Sequence, residues 1–235
     1  MTSYASLEQL LTTTLDLTRR PVAIAFRDAA PAGVEKFTGT QPSGCSFWKL
    51  AADGRAFYTV PGDHYNCPVG SYTHNIPLPP DREHELPQTL SLMTEIGYLK
   101  MEEVPGIARL AKTPGVIIYA PLGDTPVEPD AVILAGRPGG LMLLHEAATR
   151  SSIDVQPLFG RPTCMAIPAA MSQSIANSFG CVGNRVYTDL TGNELYSVVS
   201  GQQLATLTDQ LATIVSANAA LTAYHTDRRA TLQTA

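Results

Sequence analysis

The feature that most limits what this chain can fold into is a pair of short, unbroken apolar runs. They are Val116-Ile117-Ile118-Tyr119-Ala120 and Ala131 to Leu134, on either side of a turn marked by Pro121, Pro126 and Pro129. Their length, β-branched content and lack of polar alternation mark strands covered on both faces. Such a sheet needs helices on each side. Ser6 to Leu17 sets Leu7, Leu10, Leu11, Leu15 and Leu17 towards one face. Leu141 to Thr149 is a second helical segment. Gln202 to Tyr224 is the longest, with Leu204, Leu207, Leu211, Val215 and Leu221 as a core-packing stripe. Cys45 to Ala52, Glu83 to Leu99 and Ala166 to Asn177 also read as helices. Val22 to Phe26, Ala56 to Val60 and Glu194 to Val199 read as strands, and Arg27 to Ser43 and Pro61 to Pro80 as loops. This order predicts one α/β domain spanning residues 1–235, with a mixed sheet and flanking helices.

Composition narrows the function classes. Hydrophobic residues make up 44% of the 235 and charged residues 16%, enough for a core and too apolar for disorder. A net charge of −5 without a basic stripe excludes a broad nucleic-acid footprint. The longest apolar run, Val116 to Leu122, falls far short of the roughly 20 residues of a bilayer crossing, so no membrane span is expected. Met1 to Asp16 has no basic residue and does not read as a signal peptide. A cytoplasmic setting follows, in which thiols stay reduced. Neither GxGxxG nor GxxxxGK[ST] occurs, nor G-x-S-x-G, and the acidic residues form no paired pattern.

The chemistry-bearing residues are Cys45, Cys67, Cys164 and Cys181. They form no C-x-x-C pair, so the spacing of a zinc ribbon is missing. Each lies beside glycine or proline: Ser43-Gly44-Cys45, Cys67-Pro68-Val69-Gly70, Arg161-Pro162-Thr163-Cys164 and Gly180-Cys181-Val182-Gly183. These settings read as turns, where a backbone can bend around a metal and aim N–H groups at sulfur. Asn66 to Thr73 also echoes Gly180 to Thr188, and each segment's cysteine follows another, by 22 residues and by 17. A true echo means two pseudo-repeated halves, each supplying one pair of thiols. Two such pairs facing one pocket would bind an iron–sulfur cluster, or zinc. The cluster is preferred because the ligands are scattered singly among glycine-rich turns. Unrelated reduced thiols are the plain alternative.

Other groups are weaker. His64 precedes Cys67 by three residues; the two could share a metal, the histidine could deprotonate the thiol, or it could simply be bonded locally. Arg185 follows Cys181, where it could offset an anionic cluster or grip a carboxylate, or form an ordinary ion pair. Phe47 and Trp48 read as core. His74 and His145 have no partner in sequence and read as surface or satisfied positions. Two rival functions remain: a haem or other small-molecule binder with Cys67 or His64 as axial ligand, and an enzyme with one activated cysteine. A redox partner or small molecule would serve the first reading. No feature specifies a substrate or an oligomeric state.

Gly44-Cys45, Asp63-His64-Tyr65-Asn66-Cys67-Pro68-Val69-Gly70, Pro121-Leu122, Pro129-Asp130 and Gly180-Cys181-Val182-Gly183-Asn184-Arg185-Val186-Tyr187 together resemble the uncharacterised ArCR-type family of archaeal and bacterial proteins, a domain of unknown function. The resemblance covers nearly the whole chain, from about Leu7 to Leu211. It implies a single cytoplasmic domain and makes the cysteine segments family features. It carries no established activity.

Overall fold

Side chains alternating between two covered faces set the layers. In the computed structural model, which describes residues 3–156, 160–172 and 174–233, the chain runs α1 (Tyr4–Thr14), β1 (Val22–Arg27), α2 (Gly44–Ala52), β2 (Phe57–Thr59), α3 (Pro68–Thr73), α4 (Glu85–Glu95), β3 (Val116–Pro121), β4 (Ala131–Gly136), α5 (Pro138–Arg150), β5 (Asp154–Val155), α6 (Ala166–Ala170), β6 (Ser174–Ser178), α7 (Val182–Thr188), β7 (Leu195–Ser200) and α8 (Leu204–Gln233). The strands form one mixed sheet in the order β2-β3-β1-β4-β7-β6-β5; the β5–β6 pair is parallel and the other pairs are antiparallel. Every residue of β3 and β4 is buried, as two-sided coverage requires. Successive side chains point to opposite layers. Ile24, Tyr119, Ile133 and Val198 pack with α2 and α6 on one face. Ala23, Val132, Leu134 and Val199 pack with α1, α5 and α8 on the other.

The sheet has an internal symmetry that bears on the site. Outward from the β1–β4 seam, where Val22 pairs with Ile133 and Ile24 with Ala131, the order is β1, β3, β2 on one side and β4, β7, β6 on the other. Antiparallel pairing at the seam reverses one side relative to the other. A pseudo-twofold axis through the seam therefore relates β1-α2-β2-α3-β3 to β4-α6-β6-α7-β7, with α4 inserted in the first half and α5 and β5 in the second. The pseudo-repeat suggested by the cysteine echo thus has a counterpart in the topology. Because such an axis is perpendicular to the sheet, it keeps both copies of the cysteine-bearing helices on one face.

Three expectations are corrected. Ala166 to Asn177 is not one helix: α6 stops at Ala170, and Ser174–Ser178 is a buried strand paired with β7 and β5. Its Ala- and Ser-rich sequence has little strand character, and pairing overrides local preference. Pro61 to Pro80 is not all loop, since it holds the short helix α3 with Pro68 in its first turn. The last helix continues to Gln233, but its stripe is buried only as far as Leu211, and Leu221 and Tyr224 are exposed. No helix among the described residues is long and apolar enough to cross a membrane.

Candidate functional site: a buried four-thiol centre

The symmetry explains how four cysteines distant in sequence come within electrostatic reach of one another. Cys45 enters at the start of α2, and Cys164 lies in the turn Thr163–Met165 just before α6. Cys67 and Cys181 are the capping residues of α3 and α7. The settings read as turns are therefore helix starts, the equivalent positions in each half. Packing then crosses between the halves, α2 against α7 and α3 against the Cys164 turn. Cys181 N–H donates to Thr163 Oγ1 at 2.6 Å, and the Gly44 N–H reaches the Cys67 sulfur. Each capping cysteine is thus tied to the residue preceding one of the inner pair.

All four are free thiols, Cys45 and Cys164 buried and the two caps partly so. Burial pushes the Cys45 thiol far up, and negative charge on Cys164, Cys67 or Cys181 would push it further. Burial likewise raises Cys164, followed by the influence of Cys67, and raises Cys67 against the pull of the Gly44 and Gly70 N–H groups. Cys181 acts on each of these three. Every pair among the four is thus within electrostatic reach. Burial thus holds Cys45, Cys67 and Cys164 in the neutral thiol form, and a bound cation would reverse that preference. Among the described residues no group of three or more His, Cys, Asp or Glu side chains forms a cage for a metal ion. The four cysteines expected from sequence to be ligands influence one another electrostatically but do not form such a group.

Local backbone geometry shapes the two caps. Gly70 N–H donates to Cys67 Sγ at 3.3 Å, and a Cβ on Gly70 would lie only 2.9 Å from that sulfur. Gly180 has φ +82°, and a Cβ there would meet Leu190 at 2.8 Å and Asn184 Oδ1 at 3.0 Å. Only glycine lets the chain turn this closely into Cys181.

Polar groups that sequence reasoning missed complete the site. Tyr119, on β3 between β2 and β1, is fully buried with no partner for its hydroxyl. Burial pushes that hydroxyl well up, reinforced by Cys45, Cys164 and Cys67, so it shares their surroundings. Asn184, three residues after Cys181, is buried within reach of the Cys45 thiol and the Tyr196 hydroxyl, yet neither of its amide atoms makes a well-formed hydrogen bond. The Thr73 hydroxyl lies against the Cys164 thiol. A tyrosine inside an otherwise aliphatic strand was the one available signal.

Arg185 is on α7, not in a glycine turn. Its guanidinium donates to the carbonyls of Phe179, Leu190, Thr191 and Glu194 and so fastens the loop on either side of the helix. His64 is buried with Nε2 2.8 Å from Thr59 Oγ1, its ring 4.8 Å from Phe47. Its titration is set by burial and then His74, that of Cys67 by burial and backbone N–H groups, which is not the behaviour of a thiol–imidazole pair. Phe47 and Trp48 are core. His74 is not a surface residue: it is buried, Nδ1 sits 2.8 Å from the Gly70 carbonyl, and Nε2 has no partner. His145 Nε2 pairs with Asn177 Oδ1 at 2.9 Å.

The two buried imidazoles give the fold an acid limit. Burial, then His74, lowers His64 from 6.5 to about 3, and burial also lowers His74. Below pH 6.5 the unfolded chain takes up protons that folded His64 refuses until about pH 3. Stability therefore falls as pH drops through that window, by up to about 1.4 kcal/mol per unit for this group. His64→Asn, which can keep a bond to Thr59, is expected to flatten the decline in urea midpoint between about pH 7 and about pH 5. Equal declines in variant and wild type would refute this.

No curated protein and no solved structure matches the chain. A family model described as Uncharacterised ArCR matches residues 10–210, which contain all four cysteines, Tyr119 and Asn184. The chain belongs to the uncharacterised ArCR family.

Proposed function

We propose that the four thiols hold an iron–sulfur cluster, and that the protein serves electron transfer, sensing or substrate activation with a redox partner or small molecule. The observation that supports the reading is that Cys45, Cys67, Cys164 and Cys181, from both halves of the chain, are all within electrostatic reach of one another. A single zinc ion draws its sulfurs to about 2.3 Å from one point. A cluster interposes its own iron and sulfide atoms, so its cysteine sulfurs stand further apart. When bound, a cluster supplies a one-electron redox centre. Cys45 and Cys164 would form its inner side and Cys67 and Cys181 the side nearer solvent, while the Gly44 and Gly70 N–H groups stabilise charge on the Cys67 sulfur.

The haem reading is less well supported, because the His64 ring is packed against Phe47 and its Nε2 is held by Thr59. For the test, protein is purified anaerobically and treated with ferrous iron and sulfide. A broad absorption band near ~400 nm with stoichiometric iron is expected of sulfur-to-iron charge transfer. Colourless protein with no iron after reconstitution would sink the reading, and a sharp Soret band in protein as purified would favour haem.

A further inference from the structure

We infer that Tyr119 and Asn184 are the hydrogen-bond donors that meet the sulfur atoms of a cofactor at the four-thiol centre; the inference rests on the cluster reading above. Both side chains are buried, Tyr119 at 0% and Asn184 at 1% exposure. The tyrosine hydroxyl has no partner, and the asparagine amide, beside the Cys45 thiol and the Tyr196 hydroxyl, makes no well-formed hydrogen bond, although both have been taken out of water. Neither is free to turn away. The Tyr119 ring stacks on Phe47 and Phe57, each at 5.6 Å, and its backbone is paired on both sides, with Ile24 and Phe57. Asn184 sits in the first turn of α7, where a Cβ on Gly180 would lie 3.0 Å from its Oδ1. The Tyr196 hydroxyl, within reach of Asn184, already pairs with Thr188 Oγ1 at 3.1 Å.

The chemistry of the missing partner follows from these groups. The phenol O–H and the amide N–H groups are donors without an acceptor, while Asn184 Oδ1 is an acceptor without a donor. The nearest candidates in the apo chain are neutral thiols, which accept poorly. Thiolate and sulfide sulfurs of a bound cluster carry the negative charge that such donors stabilise. They come from opposite halves of the pseudo-repeat, Tyr119 from β3 and Asn184 from α7, so the donors would bracket the centre. Donors to cluster sulfur stabilise the reduced, more negative state and raise the potential.

The test compares wild type with Tyr119→Phe, which keeps the ring and removes only the hydroxyl. Thermal midpoints are measured on the apo chains, and midpoint potentials on chains loaded anaerobically with ferrous iron and sulfide. Apo Tyr119→Phe is expected to melt above wild type, because an unpartnered buried hydroxyl is gone. Loaded Tyr119→Phe is expected to have a more negative potential, and Asn184→Ala to shift it in the same direction. A lower apo midpoint for Tyr119→Phe would show that the hydroxyl already has a partner and would overturn the inference. If both variants load iron and neither potential moves, the inference falls while the cluster reading stands. If wild type takes up no iron, the reading falls and this inference with it. Should Tyr119→Phe fail to fold, the Asn184→Ala potential decides alone, a shift supporting the inference and no shift overturning it.

Discussion

Serine in place of Cys164 is expected to leave the reconstituted chain with almost none of its iron and almost none of its ~400 nm absorbance, while the fold survives. Cys164 is the most informative of the four because it is buried at 5% exposure in the core that also holds Cys45. A water molecule cannot readily replace its sulfur there. Serine is close in shape, so no cavity opens, and its buried hydroxyl finds Thr73 Oγ1 beside it, which limits the cost of a new polar group. As a ligand, however, a buried alkoxide is far harder to form than a thiolate and far less suited to iron in a cluster. The same loss is expected for Cys45→Ser, and a strong but less complete one for Cys67→Ser and Cys181→Ser, residues that are only partly buried. Iron content and the absorption spectrum after identical reconstitution read the result. Full iron in all four variants would remove the four-thiol centre from consideration. One indispensable cysteine, with the other three replaceable, would mean a nucleophile instead.

The second large effect is on stability. Phe47→Ala is expected to cost about 3–5 kcal/mol, the range for truncating a fully buried aromatic side chain. Phe47 has no exposed surface, and its ring lies 5.1 Å from Phe37, 6.1 Å from Phe57, 5.6 Å from Tyr119 and 4.8 Å from His64. These partners come from separate segments and are held by the sheet, so they cannot close over the space left behind. For a chain of this size the loss corresponds to a fall of roughly 10 °C in thermal midpoint. Phe47 is also two residues from Cys45 on α2, so loosening it should weaken iron loading as well. Urea unfolding followed by the fluorescence of Trp48, the single tryptophan, measures the change as a shift in midpoint at constant slope. A loss below about 1 kcal/mol would show that the aromatic cluster relaxes, contrary to the packing described.

Elements with strong local patterns were legible in sequence, and those decided by partners were not. Val116–Pro121 and Ala131–Gly136 announce two-sided burial by their unbroken apolar runs, and both are buried throughout. The start of α2 was also readable, since Ser43 caps it by accepting from the Ser46 N–H at 3.3 Å. Ser174–Ser178 was misread because nothing in Ser-Ile-Ala-Asn-Ser favours a strand; its place between β5 and β7 makes it one. The Cys67 and Cys181 segments were read as turns because helices as short as α3 and α7 show too few residues for a period. The site divides in the same way. The four cysteines could be singled out from sequence, along with their grouping by halves. Tyr119 looked like one more residue of a buried strand, and Asn184 like part of a glycine-rich turn.

Sequence alone determined the inventory: an α/β chain, its two covered strands, and four thiols beside glycine or proline. These follow from short-range physics, side-chain periodicity and backbone constraint acting over a few residues. Tertiary structure alone decided that the thiols come within electrostatic reach of one another. Strand order outward from the β1–β4 seam places α2, α3, α6 and α7 around one pseudo-twofold axis on one face. That order is set by pairing between segments up to about a hundred residues apart, such as Val22 with Pro121, which no local pattern encodes. The same packing strips water from the Tyr119 hydroxyl and the Asn184 amide without giving them partners. A donor's need for an acceptor appears only once the fold has closed around it.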